Sequence, residues 1–242
     1  MSSRRLGLRF TPGEVRDGDL KGAGVAVVDV LRATSVLAQA VAEGAARIVP
    51  AGSVESARAL RESSPDGTLL CGERDGRRIP GFDLGNSPFE YSRSAVSGRT
   101  LVFCSTNGSR ALVRCASAPE VFAASFVNAG VAAERLLSVR RDLLVVCAGY
   151  EEQPCVEDTA MGGLLVDRLL RSDPSLDADD AALLARTVWR AWEGRIDALL
   201  SGSRHGRTLA SLGFGEDLAF CGRLDALDVL PELRGGAIGR SS

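Results

Sequence analysis

The chain has 242 residues, with 29 basic against 31 acidic side chains and a single histidine, giving a formal charge of -2 and a pI near 5.6. That length buries a substantial core, while the small net charge offers no basic field for nucleic acid, so charge for an anionic ligand must be gathered locally. No apolar run reaches the roughly 20 residues that span a bilayer, and residues 1–10 lack a signal-peptide core, so a cytoplasmic protein with no membrane segment is expected.

The six cysteines, at 71, 104, 115, 147, 155 and 221, contain no C-x-x-C pair, which argues against structural zinc or a disulfide framework. With His205 alone, a metal centre must use oxygen ligands, which favours magnesium. Lys21 is the one lysine; the arginine bias reads first as genomic composition.

Residues 6–10 read as a short strand, followed by a polar turn region to Lys21. The organising stretch is Gly24–Ser35, GVAVVDVLRATS. Val25–Val28 are continuously apolar and β-branched, as in a strand buried on both faces, and Asp29 ends the run. Arg32, Thr34 and Ser35 then open an Ala-rich helix over about 33–44. A short strand at 47–50 is followed by a Ser53-capped helix at 54–62 and a strand at 68–73 ending in Glu73. Residues 74–86, RDGRRIPGFDLGN, form a loop whose length and glycines suit function. Ser87, Pro88 and Glu90 have the spacing of a capping box.

Strands at 100–104, 120–125 and 142–149 alternate with helices at about 109–117, from Asn128, and at 156–171. Two further helices are expected near 178–193 and 195–213. Leu227–Pro231 reads as an edge strand, and residues 234–242 as a frayed tail. The alternation predicts an α/β protein, layered α/β/α, with a largely parallel or mixed sheet and a helical C-terminal region. It is one unit over 1–242, or two intimately packed lobes.

Polar pairs follow the strands: Asp29 with Arg32, Glu73 with Arg74, Thr106 with Asn107, Ser125 with Asn128, and Glu157 with Asp158. In a parallel sheet such ends share one edge, and there they form one site with acid groups for a metal and donors for an oxyanion. Each also has a structural reading. Arg32 can pair with Asp29, Glu73 with Arg74 on the surface, and Glu157 and Asp158 can cap their helix. Asp83, Asn86 and Ser87 can simply shape the loop. His205 reads as a surface or supporting residue, and Trp189 and Trp192 as helix packing.

VVDVLRATS at 27–35, GER at 72–74, GFDLGNSPFEY at 81–91, STNGSRA at 105–111, and AG at 148–149 with ED at 157–158 together resemble the 2-phosphosulfolactate phosphatase family. A weaker match runs from Ser203-Arg204-His205-Gly206 through Asp217 and Cys221 to Pro231. The resemblance covers about residues 25–231 in order. It implies a magnesium-dependent phosphatase, associated with coenzyme M biosynthesis, that hydrolyses 2-phospho-3-sulfolactate to sulfolactate and phosphate. Asp29, Arg32, Glu73 and Asn107 are then the catalytic candidates. Arg74, Arg78, Ser87, Thr106 and Gly108 are the substrate-binding ones, with Arg77 or Arg78 toward the sulfonate. Asp29, Asp83 and Asp158 are the first choice of metal ligands, with Glu157 and Glu73 as alternates. A remaining carboxylate would activate water or protonate the leaving alkoxide.

Two covalent mechanisms and one non-catalytic role compete. An aspartyl-phosphate enzyme of the haloacid dehalogenase type wants a second Asp where Leu31 stands, which excludes it. Cys71 to Arg77 and Cys104 to Arg110 have the six-residue spacing of cysteine-dependent phosphatases, leaving Cys104 as an alternative nucleophile. A catalytically silent binder of a small acidic metabolite would keep the same charges. Oligomeric state is open, with a homodimer through the C-terminal helices as one form.

Overall fold

The computed structural model describes residues 3–241; Met1, Ser2 and Ser242 lie outside the described residues. Eleven strands form one mixed sheet: β1 (Arg5–Arg9), β2 (Ala23–Val28), β3 (Arg47–Pro50), β4 (Leu69–Arg74), β5 (Arg77–Arg78), β6 (Thr100–Cys104), β7 (Glu120–Ala124), β8 (Asp142–Cys147), β9 (Asp177–Ala178), β10 (Pro231–Arg234) and β11 (Ala237–Arg240). The helices are α1 (Asp17–Leu20), α2 (Ala33–Ala42), α3 (Val54–Glu62), α4 (Arg93–Val96), α5 (Gly108–Cys115), α6 (Ala129–Ser138), α7 (Val156–Ser172), α8 (Asp180–Trp192), α9 (Ile196–Gly202), α10 (Arg204–Ser211) and α11 (Gly215–Cys221). Among the described residues no helix is long and apolar enough to cross a membrane.

The apolar run of β2 does what its composition dictates. It pairs in parallel with β7 on one side and β8 on the other. Ala26 and Val28 face a core shared with β1, β8, α6 and α7, while Val25 and Val27 face a second core with α2 and α5. A strand buried on both faces needs apolar residues at every position, and β2 has them.

Strand order is β5-β4-β6-β3-β11-β10-β7-β2-β8-β1-β9. The runs β4-β6-β3 and β7-β2-β8-β1-β9 are each parallel, but three antiparallel steps separate β3 from β7. The two runs therefore point in opposite senses, and the expectation of one common parallel edge is corrected. Five strand steps lie between β2 and β6, and at about 20–25° of twist each they turn the runs toward one another by about 100–125°. The chain after β2 and the chain after β6 still meet, with Gly108 of α5 standing against Asp29 and Ala33.

The joining piece is a second correction. Residues 234–241 are no frayed tail, and the last strands are not at an edge. The β10–β11 hairpin lies mid-sheet, with Glu232 opposite Phe122 and Ile238 opposite Ile48. Gly235 and Gly236 turn it with φ of 55° and 79°. A two-residue hairpin turn with both central residues left-handed needs such a pair. The expected helix at 195–213 is also two helices, because Ser203 ends α9 and caps α10 by accepting from the Gly206 N–H at 2.9 Å.

Ile238 is buried at the seam, so Ile238→Ala should lower stability by about 2–5 kcal/mol in a urea titration. A chain ending at Leu230 should lose its cooperative thermal transition; an unchanged melt would show that the hairpin is dispensable.

Candidate active site

The strand ends enclose a cavity of about 290 Å³ lined by Asp29, Arg32, Glu73, Asn86, Thr106, Asn107, Tyr150 and His205, among others. Asp29 is 5% exposed at the end of β2. Thr34 fixes its peptide: the hydroxyl donates to the Asp29 carbonyl at 2.8 Å and accepts from the Asp29 N–H at 3.0 Å. One carboxylate oxygen accepts from the Ala33 N–H at 3.1 Å. Gly108 begins α5 directly against this carboxylate. A Cβ there would fall 2.6 Å from Asp29 Oδ2 and 2.5 Å from Ala33 Cβ, so only glycine lets the two turns touch.

Glu73 and Asp158 are ties between loops. Glu73 accepts from the Thr106 N–H at 2.7 Å, the Gly76 N–H at 3.0 Å and the Thr106 hydroxyl at 3.2 Å. Asp158, in the first turn of α7, accepts from the Val30 N–H at 2.8 Å and the Gly149 N–H at 3.1 Å. Its neighbour Glu157 is the exception. Both of its oxygens are buried with no hydrogen-bond partner. The nearest basic group is His205 Nδ1, 3.7 Å away, and burial together with the Arg32 charge holds that imidazole down near 4. A neutral His205, stacked on Tyr150 with ring centroids 4.4 Å apart, gives Glu157 no counter-charge; only its own peptide N–H, the Cys155 thiol and the Ser203 hydroxyl ease its charge.

Asp29, Glu157 and Asp158 are harder to ionise than usual. Burial pushes Asp29 up to about 7, with repulsion from Glu73 and Glu157 adding to it. Burial, with repulsion from Asp29 and Glu157, pushes Asp158 up, and burial raises Glu157. An uncompensated buried carboxylate is costly. The orphaned Glu157 oxygens beside Asp29 are therefore the donor set that fits an oxygen-ligand dication. No three His, Cys, Asp or Glu residues converge as a metal cluster among the described residues. One or two carboxylates completed by water and substrate oxygens is the arrangement magnesium prefers.

Arg32 is held by the C-terminal helices and the loop after β4. Its guanidinium, 2% exposed, pairs with Asp217 of α11 at 2.5 Å, donates to the Gly76 carbonyl at 2.8 Å and lies 4.2 Å over the Phe214 ring. Asp217 in turn accepts from the Ser87 hydroxyl at 2.8 Å. The structural alternative, a salt bridge from Arg32 to Asp29, does not form; Arg32 pairs with Asp217 of α11 instead. Three of five N–H groups stay available on a fixed plane for an anion.

A family model described as 2-phosphosulpholactate phosphatase matches residues 9–236. The chain belongs to that phosphatase family. A relative from Symbiobacterium thermophilum named "Probable 2-phosphosulfolactate phosphatase" is 39% identical over 221 residues, covering 91% of this chain and 95% of its own. A relative of the same name from Caldanaerobacter subterraneus is 36% identical over 229 residues, covering 94% and 95%. One from Deinococcus radiodurans is 40% identical over 209 residues, covering 86% of each.

Within this phosphatase-family chain the sequence candidates divide. Asp29, Arg32, Glu73, Thr106 and Asn107 line one cavity, Gly108 stands against Asp29, and Glu157 and Asp158 are buried outside the lining, near enough to Asp29 to repel it. Asp83 lies elsewhere: it is exposed and accepts from the Leu70 N–H at 2.8 Å, a loop-shaping role. Arg78 is exposed on β5 and donates to the Asp83 carbonyl, and Arg77 is exposed beside it. Arg74 donates to the Glu73 carbonyl and to Cys104 Sγ, outside the lining. Ser87 reaches the site only through Asp217. Cys71 and Cys104 are buried outside the lining, and burial pushes both thiols up, away from the thiolate. The sequence reading missed Asp217, Tyr150 and the close approach of His205. Asp217 and His205 had only the short C-terminal match as a signal, and Tyr150, in the turn after β8, had none.

Two outcomes are expected. Asp217→Ala strands Arg32 without its counter-charge and should cost about 3–5 kcal/mol in denaturant titration. In chelator, Asp29 binds its proton more tightly folded than unfolded, so its contribution is fully present below about 4 and lost as pH rises toward 7. The denaturation midpoint should fall across that window and flatten in Asp29→Asn; a rise would contradict the assignment.

Proposed function

We propose that this chain is a magnesium-dependent phosphatase that hydrolyses 2-phospho-3-sulfolactate to sulfolactate and phosphate. The observation that supports the reading is the unpartnered Glu157 carboxylate, buried close enough to Asp29 to repel it and 3.7 Å from His205, which with Asp29, Arg32 and Asn107 lines the cavity. The names of the relatives support the substrate.

Glu157 and Asp29 are the residues that would hold magnesium. When bound, it supplies positive charge to phosphoryl oxygens and lowers the pKa of a water molecule. Phosphoryl transfer passes through a loose transition state, so the chain acts mainly by placing charge and excluding solvent. Arg32, locked by Asp217, Gly76 and Phe214, offers N–H groups in a plane that suits two phosphate oxygens. Asn107 offers donors at the first turn of α5, where the helix dipole favours an anion. Glu73 holds the Thr106 turn at the distance this requires. Tyr150 and His205, stacked on one another, form an aromatic part of the cavity wall.

The test is phosphate release from 2-phosphosulfolactate with magnesium, with EDTA and with iodoacetamide. Activity lost in EDTA, restored by magnesium and indifferent to alkylation is expected. Asp29→Ala should lower kcat/KM by about a hundredfold, the upper range for residues that tune a metal site. Loss on alkylation with indifference to EDTA would turn the reading to Cys104. Saturable heat in calorimetry with no phosphate release would make the protein a binder.

A further inference from the structure

The catalytic cavity is short of positive charge for the substrate proposed. Asp29, Glu73, Asp75 and Glu151 line it, and Arg32 is its one lining cation among the described residues, already paired with Asp217. A phosphate monoester carries about -1.5 to -2 by itself, and the sulfonate and carboxylate of this substrate add to that. Arg32 and a dication answer the phosphate. The far acid group has no partner there.

A second cavity, of about 500 Å³, adjoins the first, and Thr106 and Asn107 line both. Arg110 and Arg114, one helical turn apart on α5, line the second cavity, and Glu152 is its only carboxylate. Arg114 is committed: it donates to the Val15 carbonyl at 2.6 Å and pairs with Asp17 at 2.9 Å. Arg110 meets only Glu152, at 3.5 Å, with the two side chains 54% and 80% exposed. An exposed pair of that kind contributes little, so an anion displaces Glu152 at small cost.

Glu152 sits in the turn from Tyr150 to Gln153, which spans the junction of the cavities. It sends Glu151 to the catalytic cavity and Glu152 to the second. Both glutamates are left-handed, with φ of 52° and 60°, a conformation that non-glycine residues rarely keep outside functional sites.

We infer that Arg110 is the specificity residue for the sulfonate of the substrate. This inference rests on the phosphatase reading given above. The phosphate occupies the catalytic cavity, and the sulfonate reaches past Thr106 and Asn107 to the Arg110 guanidinium, taking the place of Glu152. The assignment moves the sulfonate end from Arg77 and Arg78, which are exposed on β5, to the first turn of α5.

The test compares 2-phosphosulfolactate with 2-phospholactate, which lacks only the sulfonate, in the parent, Arg110→Ala, Arg110→Lys and Glu152→Gln. The parent should turn over both and prefer the sulfonate ester. Arg110→Ala should lower the ratio of the two kcat/KM values about tenfold or more, mainly through KM, the size of one charge-assisted hydrogen bond. Arg110→Lys should restore part of the ratio, and Glu152→Gln should lower KM for the sulfonate ester. A parent without preference, or a ratio unchanged in Arg110→Ala, overturns the assignment and leaves the phosphatase reading standing. Phosphate release from neither ester in the parent overturns the reading and the assignment with it.

Discussion

The structure turns on a carboxylate that the fold buries and does not satisfy. Glu157 has neither oxygen hydrogen-bonded, and its neighbours Asp29 and Asp158 are buried acids that repel one another. Native proteins rarely tolerate such a group without a partner. Around it every other acid is answered: Asp158 by two peptide N–H groups, Glu73 by the Thr106 turn and Gly76, and Asp217 by Arg32 and Ser87. In the proposed reading an external cation would answer Glu157, and the buried Asn86 Oδ1 of the cavity lining is likewise without a partner.

That arrangement needs both halves of the sheet. Asp29, Glu157 and Asp158 come from the β2 and β8 run, and Glu73, Thr106 and Gly108 from the β4 and β6 run, which points the other way. The β10–β11 hairpin joins the two runs, so the last strands of the chain set the distance between the halves of the site. Gly108 shows how tight that distance is, since no side chain fits between α5 and the Asp29 carboxylate. The C-terminal helices then close the cavity with His205 and fix Arg32 through Asp217 and Phe214.

Much of this was legible in the chain itself. An unbroken apolar run ending in Asp29 can only be a central strand with a charge at its end, and Gly-Ser-Arg after Thr106-Asn107 reads as a helix start. Other parts were hidden for physical reasons. Gly235-Gly236 looks like tail composition until its strands are paired, because four-residue strands carry little periodic signal. Asp83 has the same turn chemistry whether it holds a loop or a metal, and its bond to Leu70 decides between them. Asp217 lies 185 positions from Arg32, and no local pattern announces a pairing over that span. The direction reversal within the sheet is likewise set by long-range register alone.

The central claim is that Glu157 and Asp29 are held for a divalent cation. The most direct measurement is a calorimetric titration of magnesium into the chelator-treated protein, beside Glu157→Gln of equal thermal stability. The account predicts one saturable site in the parent and an affinity reduced by about a hundredfold or more in the variant. No saturable binding in the parent, or equal affinity in both, would contradict it.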